Sequence, residues 1–267
     1  MMHYYTLITG ASNGIGLEMA DYCASKGMNI LMISLPNENL EEKAINISEK
    51  YKINTSTFEC DLTDVSEIDR LKEWVLDKGF EVNFLINNAG FGGTIPFEDM
   101  SGGLIDNMIG LNITAGTHLT NRFIPILKKN APSNILNVSS LISNLVAPYK
   151  ALYTATKTFV INLSVSLAHE LKEDGIIVST LLPGATPTNK VVMDQIEKGN
   201  FAARVSVMSP RKVAKIAINK SLKGKTIITT GTKNGVIRNL LKSLPNRMIA
   251  AIAINQFKKK TRLEKEQ

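Results

Sequence analysis

The chain has 267 residues, 44% hydrophobic and 21% charged, enough apolar material for a large core and too much for a disordered or low-complexity protein. Its net charge of +7 gathers largely after Lys220, notably in FKKKTRLEK from Phe257 to Lys265, without aromatic residues interleaved for base stacking, so no nucleic-acid partner is expected. No apolar run approaches the roughly 20 residues that cross a bilayer, the start lacks the pattern of a secretory signal, and the two cysteines, Cys23 and Cys60, have no metal-ligand spacing; a cytoplasmic protein without a metal site is expected.

In chain order, YYTLIT at 4–9 is β-branched and aromatic and predicts a strand. A glycine-rich turn leads from it into LEMADYCASKG at 17–27, whose apolar spacing and final Gly27 suit a helix. Strands are then predicted at 29–34, 55–60 and 82–87, with helices near 37–50 and 65–78 between them. A long helix near 104–127 precedes a strand at 133–139, and a helix carrying Tyr153 precedes strands at 175–182 and 225–230. Near-continuous apolar strands alternating with helices imply a parallel sheet covered on both faces, here a seven-stranded, doubly wound α/β sandwich of three layers. No linker divides it, so residues 1–267 are expected to form a single domain.

The turn after the first strand reads TGASNGIG, with Gly10, Gly14 and Gly16. Glycine there permits positive φ and a close backbone approach to a ligand, and the free N–H groups of the following helix can hold a pyrophosphate. Further on, Tyr153 and Lys157 stand one helical turn apart, so the ammonium lies on the same face as the phenol and can lower the pKa of its proton. Taken alone, that pair is better read as a surface contact.

The spacing Gly-x3-Gly-x-Gly resembles that of the short-chain dehydrogenase/reductase family. The likeness recurs in order over nearly the whole chain: Asp61 in CDLTD, NNAG at 87–90, Asn112 in the long helix, NVSS at 137–140, Tyr153-x3-Lys157, and PGATPT at 183–188. The resemblance implies a Rossmann-type fold binding NAD or NADP. It assigns Gly10, Ser12, Gly14, Ile15 and Gly16 to the pyrophosphate and adenosine ribose, and Asp61 and Leu62 to the adenine. Asp61 could instead cap the helix that begins near Asp64. Asn88, Ala89 and Gly90 would run beside the cofactor, or serve only as a turn. Pro183 and Gly184 form a bend, after which Thr188 would hold the nicotinamide carboxamide or merely cap the loop. Tyr153 would be the general acid or base, Lys157 its electrostatic partner and the holder of the nicotinamide ribose, and Ser140 a donor to the substrate oxygen, with Ser139 as rival. Asn112 would organise a water that links the lysine to solvent.

The choice between NAD and NADP turns on the end of the second strand. An acid there would bind the ribose hydroxyls of NAD, and a base would favour the 2′-phosphate of NADP. The family's position falls at Ser34 or Leu35, and Asn13 stands where a basic residue is common; neither marker is present. With no acid to repel a phosphate, and with Ser34, Asn37 and Asn13 as donors, NADP is weakly favoured. Residues 91–100, 141–149 and 183–208 are rich in Phe, Leu, Val and Met and suggest an apolar ketone, aldehyde or secondary alcohol as substrate, with 189–208 as its lid. From 236 to 267 the apolar residues alternate with Lys and Arg, a basic amphipathic extension that suits docking on the domain or peripheral contact with a membrane. The family resemblance implies a homodimer or homotetramer. Two functions compete: an NAD(P)-dependent carbonyl reductase, and a nucleotide-sensing binding protein with little catalysis.

Overall fold

Adjacent residues of the central strands enter opposite apolar clusters, because successive side chains of a strand point to opposite faces. Ile8, Ile30, Met32, Ile86 and Leu136 belong to one cluster, and their neighbours Leu7, Leu31, Ile33, Leu85 and Ile135 to the other. A sheet buried on both faces follows, and the computed structural model, described at residues 4–143, 145–187, 207–231, 235, 245, 247–251, 253 and 254, has that architecture. Its strands are β1 (Tyr5–Thr9), β2 (Asn29–Ser34), β3 (Thr55–Glu59), β4 (Val82–Asn87), β5 (Ser133–Val138), β6 (Ile176–Leu182) and β7 (Ile227–Thr229). They pair in the order β3-β2-β1-β4-β5-β6-β7, all parallel. The expected seven-stranded Rossmann-type sandwich is therefore present.

Helices α1 (Gly14–Ala24), α2 (Leu40–Tyr51) and α7 (Pro210–Ser221) cover the first face, with Met19, Ala44 and Val213 in its cluster. Helices α3 (Val65–Asp77) and α5 (Gly116–Lys129) pack on the second through Ile68, Leu71, Leu119 and Phe123. Further described helices are α4 (Gly102–Ile109) and the 20-residue α6 (Ala151–Glu170). None of the described helices is long and apolar enough to cross a membrane.

Three of the differences from the sequence reading have a clear local reason. Helix α1 starts inside the glycine-rich turn, at Gly14 instead of 17. Helix α2 starts at Leu40 because Asn37 and Asn39, at φ 66° and 52°, adopt left-handed backbone that a right-handed helix excludes. The long helix expected at 104–127 is broken by a π-helical segment, Gly110–Ala115, between α4 and α5. Such wide turns recur at functional sites, and this one carries Asn112. Of the proposed lid at 189–208 only 207 and 208 are described, and the extension at 236–267 lies outside the described residues except for 245, 247–251, 253 and 254.

Candidate active site

Sequential strands of a parallel sheet deliver their following loops to one edge, and here the loops after β1, β4, β5 and β6 meet. The turn after β1 is shaped by glycine. Gly10 and Gly14 have φ of 62° and 55°, and a Cβ on Gly16 would stand 2.1 Å from the carbonyl oxygen of Gly10. Only a bare backbone fits, which leaves a cradle at the start of α1 whose N-cap, Asn13, makes no side-chain capping bond. That geometry suits a pyrophosphate: close backbone approach, uncommitted N–H groups and the positive end of a helix dipole. Thr9 rivets the turn to the loop after β4. Its hydroxyl accepts the Asn88 and Ala89 N–H groups, each at 3.0 Å, and the Asn88 amide donates to the carbonyls of Thr9 at 2.9 Å and Gly10 at 3.2 Å. Asn88 thus holds the cradle shut from behind, while Ile15 packs against the core.

At the end of β2, Ser34 is buried and its hydroxyl turns back to the carbonyl of Leu35 at 3.0 Å. The Ser12 hydroxyl instead donates to the carboxylate of Glu38, a residue that the sequence reading passed over. Asn13 donates to the Ser12 oxygen at 3.3 Å. On the next loop Asp61 accepts the Thr63 N–H at 2.9 Å and the Thr63 hydroxyl at 2.8 Å, whereas Asp64 caps α3 by accepting the Ser66 N–H at 2.8 Å. Asp61 therefore closes the preceding turn and leaves the capping to Asp64. Leu62 is buried in the second apolar cluster.

The two hydroxyls of VSS separate cleanly. Ser139 donates to the Lys157 carbonyl at 2.6 Å and lies 3.0 Å from the Ser143 hydroxyl, both inside the protein. Ser140 reaches the Tyr153 phenol. Contrary to the lowering expected from the Tyr153–Lys157 spacing, the phenol's pKa is raised, because burial outweighs the opposing influence of Ser140. Lys157 is only 5% exposed, and its ammonium donates to the Val138 carbonyl at 3.0 Å. Desolvation lowers it to about 8. Asn112, turned inward by the π segment, takes both backbone groups of Phe91: its amide oxygen accepts the N–H at 3.0 Å and its nitrogen donates to the C=O at 2.9 Å. The same nitrogen donates to Thr156 at 3.1 Å, so Asn112 ties the loop after β4 to α6. Gly90 sits between the two polar groups, since a Cβ there would come within 2.8 Å of the Asn112 amide oxygen and 2.9 Å of the Lys157 ammonium.

Gly92 belongs to this site although nothing in the sequence but its place in a Gly-Gly pair marks it. A Cβ at Gly92 would lie 2.5 Å from Tyr153 Cδ2, so the glycine backbone rests directly on the phenol ring. Beyond the ring lies a small open depression with Ile95, Phe97, Met100, Met108, Tyr149 and Leu152 in its wall. Tyr149 holds φ of 67°, uncommon for a bulky side chain, and its carbonyl accepts the Ile95 N–H at 2.8 Å. After β6, the Pro183 carbonyl accepts the Leu141 N–H at 2.9 Å and the Gly184 N–H donates to Thr230 at 3.2 Å; Thr188 lies outside the described residues. Among the described residues no cluster of His, Cys, Asp or Glu could hold a metal ion.

A family model described as short chain dehydrogenase matches residues 5–198. The chain is 30% identical over 265 residues to the very-long-chain 3-oxoacyl-CoA reductase of Macaca fascicularis, a match covering 95% of this chain and 80% of that protein. Among solved structures, the bulky-bulky ketone specific alcohol dehydrogenase from Comamonas testosteroni superposes with a TM-score of 0.74 at 25% identity, covering 92% of this chain and 96% of the other. A short-chain dehydrogenase from Sphingobium yanoikuyae, solved in complex with NADPH, shares the fold with a TM-score of 0.76 at 24% identity over 91% of this chain and 96% of its own.

Proposed function

The chain belongs to the short-chain dehydrogenase/reductase family and is an NAD(P)-dependent oxidoreductase, and from that premise we propose that it reduces the ketone of an apolar substrate of the 3-oxoacyl thioester kind. The observation that carries the reading is geometric: the loop Gly90–Gly92 lies so close that a Cβ would meet the Asn112 amide and the Lys157 ammonium at one end and the Tyr153 ring at the other, which brings the three side chains to one place.

When bound, the nicotinamide supplies the hydride. The residues then divide the remaining work. Tyr153, whose phenol carries its proton at neutral pH, donates that proton to the carbonyl oxygen as negative charge develops there. Ser140 donates a hydrogen bond to the same oxygen and keeps it within reach of the phenol. Lys157 supplies positive charge from a dry site, where it acts over a longer range than in water. Asn112 fixes the loop that runs from Gly90 across the Tyr153 ring. The apolar side chains Ile95, Phe97, Met100, Met108 and Leu152 beside the ring offer a surface for an acyl chain, and the curated relative's name supports the same substrate class. Both cysteines are buried and unpaired, which supports a reducing, cytoplasmic compartment.

Purified protein assayed with 3-oxoacyl thioesters of increasing chain length, by loss of reduced-cofactor absorbance, tests this reading. Turnover should improve with chain length. Binding of the dinucleotide without turnover of any carbonyl compound would favour the sensing alternative.

A further inference from the structure

Strand β2 ends without an ionic residue: Ser34 is buried and bonded to the carbonyl of Leu35, and Leu35 is exposed and neutral. The chain then turns sharply. Asn37 and Asn39 both adopt left-handed backbone and swing the residue between them, Glu38, back toward the glycine-rich turn. The Lys43 ammonium donates to the Glu38 backbone carbonyl at 2.6 Å and holds this turn from α2. Glu38 is half-buried, and its carboxylate accepts the Ser12 hydroxyl across 26 positions of sequence.

We infer that Glu38 reads the adenosine ribose and makes the protein prefer NADH to NADPH. This inference rests on the dinucleotide reading of the cradle. In a doubly wound sheet the ribose next to the pyrophosphate lies between the glycine-rich turn and the end of the second strand, the gap that the Ser12–Glu38 pair spans. A carboxylate accepts hydrogen bonds from both ribose hydroxyls. A 2′-phosphate would instead place about two negative charges beside it in a partly dry setting, where like charges repel strongly. The residues that touch the carboxylate's partner bring no compensating charge, since Asn13 is neutral, and Lys43 is engaged with the backbone behind the carboxylate. The sequence-level lean to NADP rested on the absence of an acid at 34–35; the fold brings one from position 38.

Isothermal titration of the full chain with NADH and with NADPH, without substrate, tests the inference. The unsubstituted protein should bind NADH at least about tenfold more tightly. Glu38→Gln keeps the side-chain length and the carbonyl that Lys43 holds, and should tighten NADPH binding by about tenfold while weakening NADH binding by a few-fold. Ser12→Ala, which removes the anchor, should narrow the ratio in the same direction. Equal affinities or tighter NADPH binding in the unsubstituted protein, or an unchanged ratio in Glu38→Gln, would overturn the inference and leave the oxidoreductase reading standing. If neither dinucleotide binds, both fall; if NADH binds preferentially but no carbonyl is reduced, only the catalytic reading falls.

Discussion

A single hydroxyl and a single glycine separate chemistry from scaffolding at the centre of this protein. Replacing Tyr153 by Phe removes the proton donor and should lower kcat by about 10²–10⁴-fold, while titration with the dinucleotide should show nearly unchanged affinity. Ser140→Ala should resemble it, because Ser140 is the hydroxyl on the phenol. Ser139→Ala should not. Its bonds go to the Lys157 carbonyl and Ser143, so its loss should cost about 1 kcal/mol of stability, read by denaturant unfolding, and leave kcat within a few-fold. Gly92→Ala is a sharper test. A methyl 2.5 Å from Tyr153 Cδ2 must push the ring or the loop aside, and misplacing a reacting group by about 1 Å can cost about a hundredfold in rate. The expected result is a large fall in kcat with dinucleotide affinity preserved; an unchanged kcat would show that the phenol is not the acting group.

At the scale of elements, the π segment and the glycine-rich turn do most of the positioning. The wide turn Gly110–Ala115 rotates Asn112 into the protein, where three bonds join it to the loop after β4 and to α6. Asn112→Leu would leave the N–H and C=O of Phe91 without their partner, at about 1–3 kcal/mol for a buried polar group. Thermal unfolding should therefore register this variant as well as kinetics. Its kcat should fall further than stability alone explains, because the loop from Gly90 to Gly92 lies against both Lys157 and the Tyr153 ring.

Over the whole molecule, burial of ionisable groups makes activity and stability respond to pH in predictable directions. Lys157 is lowered from 10.5 to about 8, whereas the Tyr153 phenol is raised. As pH climbs through about 8 the ammonium is lost first, so kcat/KM for carbonyl reduction should fall above that point while the phenol still carries its proton. Stability moves the other way over part of this range. Because the folded value lies below the unfolded one, burying the charge costs stability at neutral pH, and that cost fades between pH 8 and 10.5. Lys157→Met should accordingly raise Tm by about 2–4 °C at pH 7 and abolish turnover, the trade expected of a site held in an unfavourable state. Cys23 and Cys60 act oppositely. Raised from 9.0 to about 12, their thiols keep protons that the unfolded chain releases, so stability should decline as pH passes from 9 toward 12, checked by denaturant midpoints across that range.

The sequence by itself determined the alternation of strands and helices, the bare-backbone turn after β1 and the shared face of Tyr153 and Lys157. Each of these is written in short periods: two residues for a strand, 3.6 for a helix, and glycine where no Cβ fits. Residues far apart along the chain obey no such period, and there the tertiary structure decided. It turned Ser140 instead of Ser139 toward the phenol, set Gly92 on the ring, inserted the wide turn that aims Asn112 at Phe91, and carried Glu38 to Ser12. Which way a side chain faces at these places depends on how loops from different strands pack at one sheet edge, a three-dimensional constraint that no local pattern encodes.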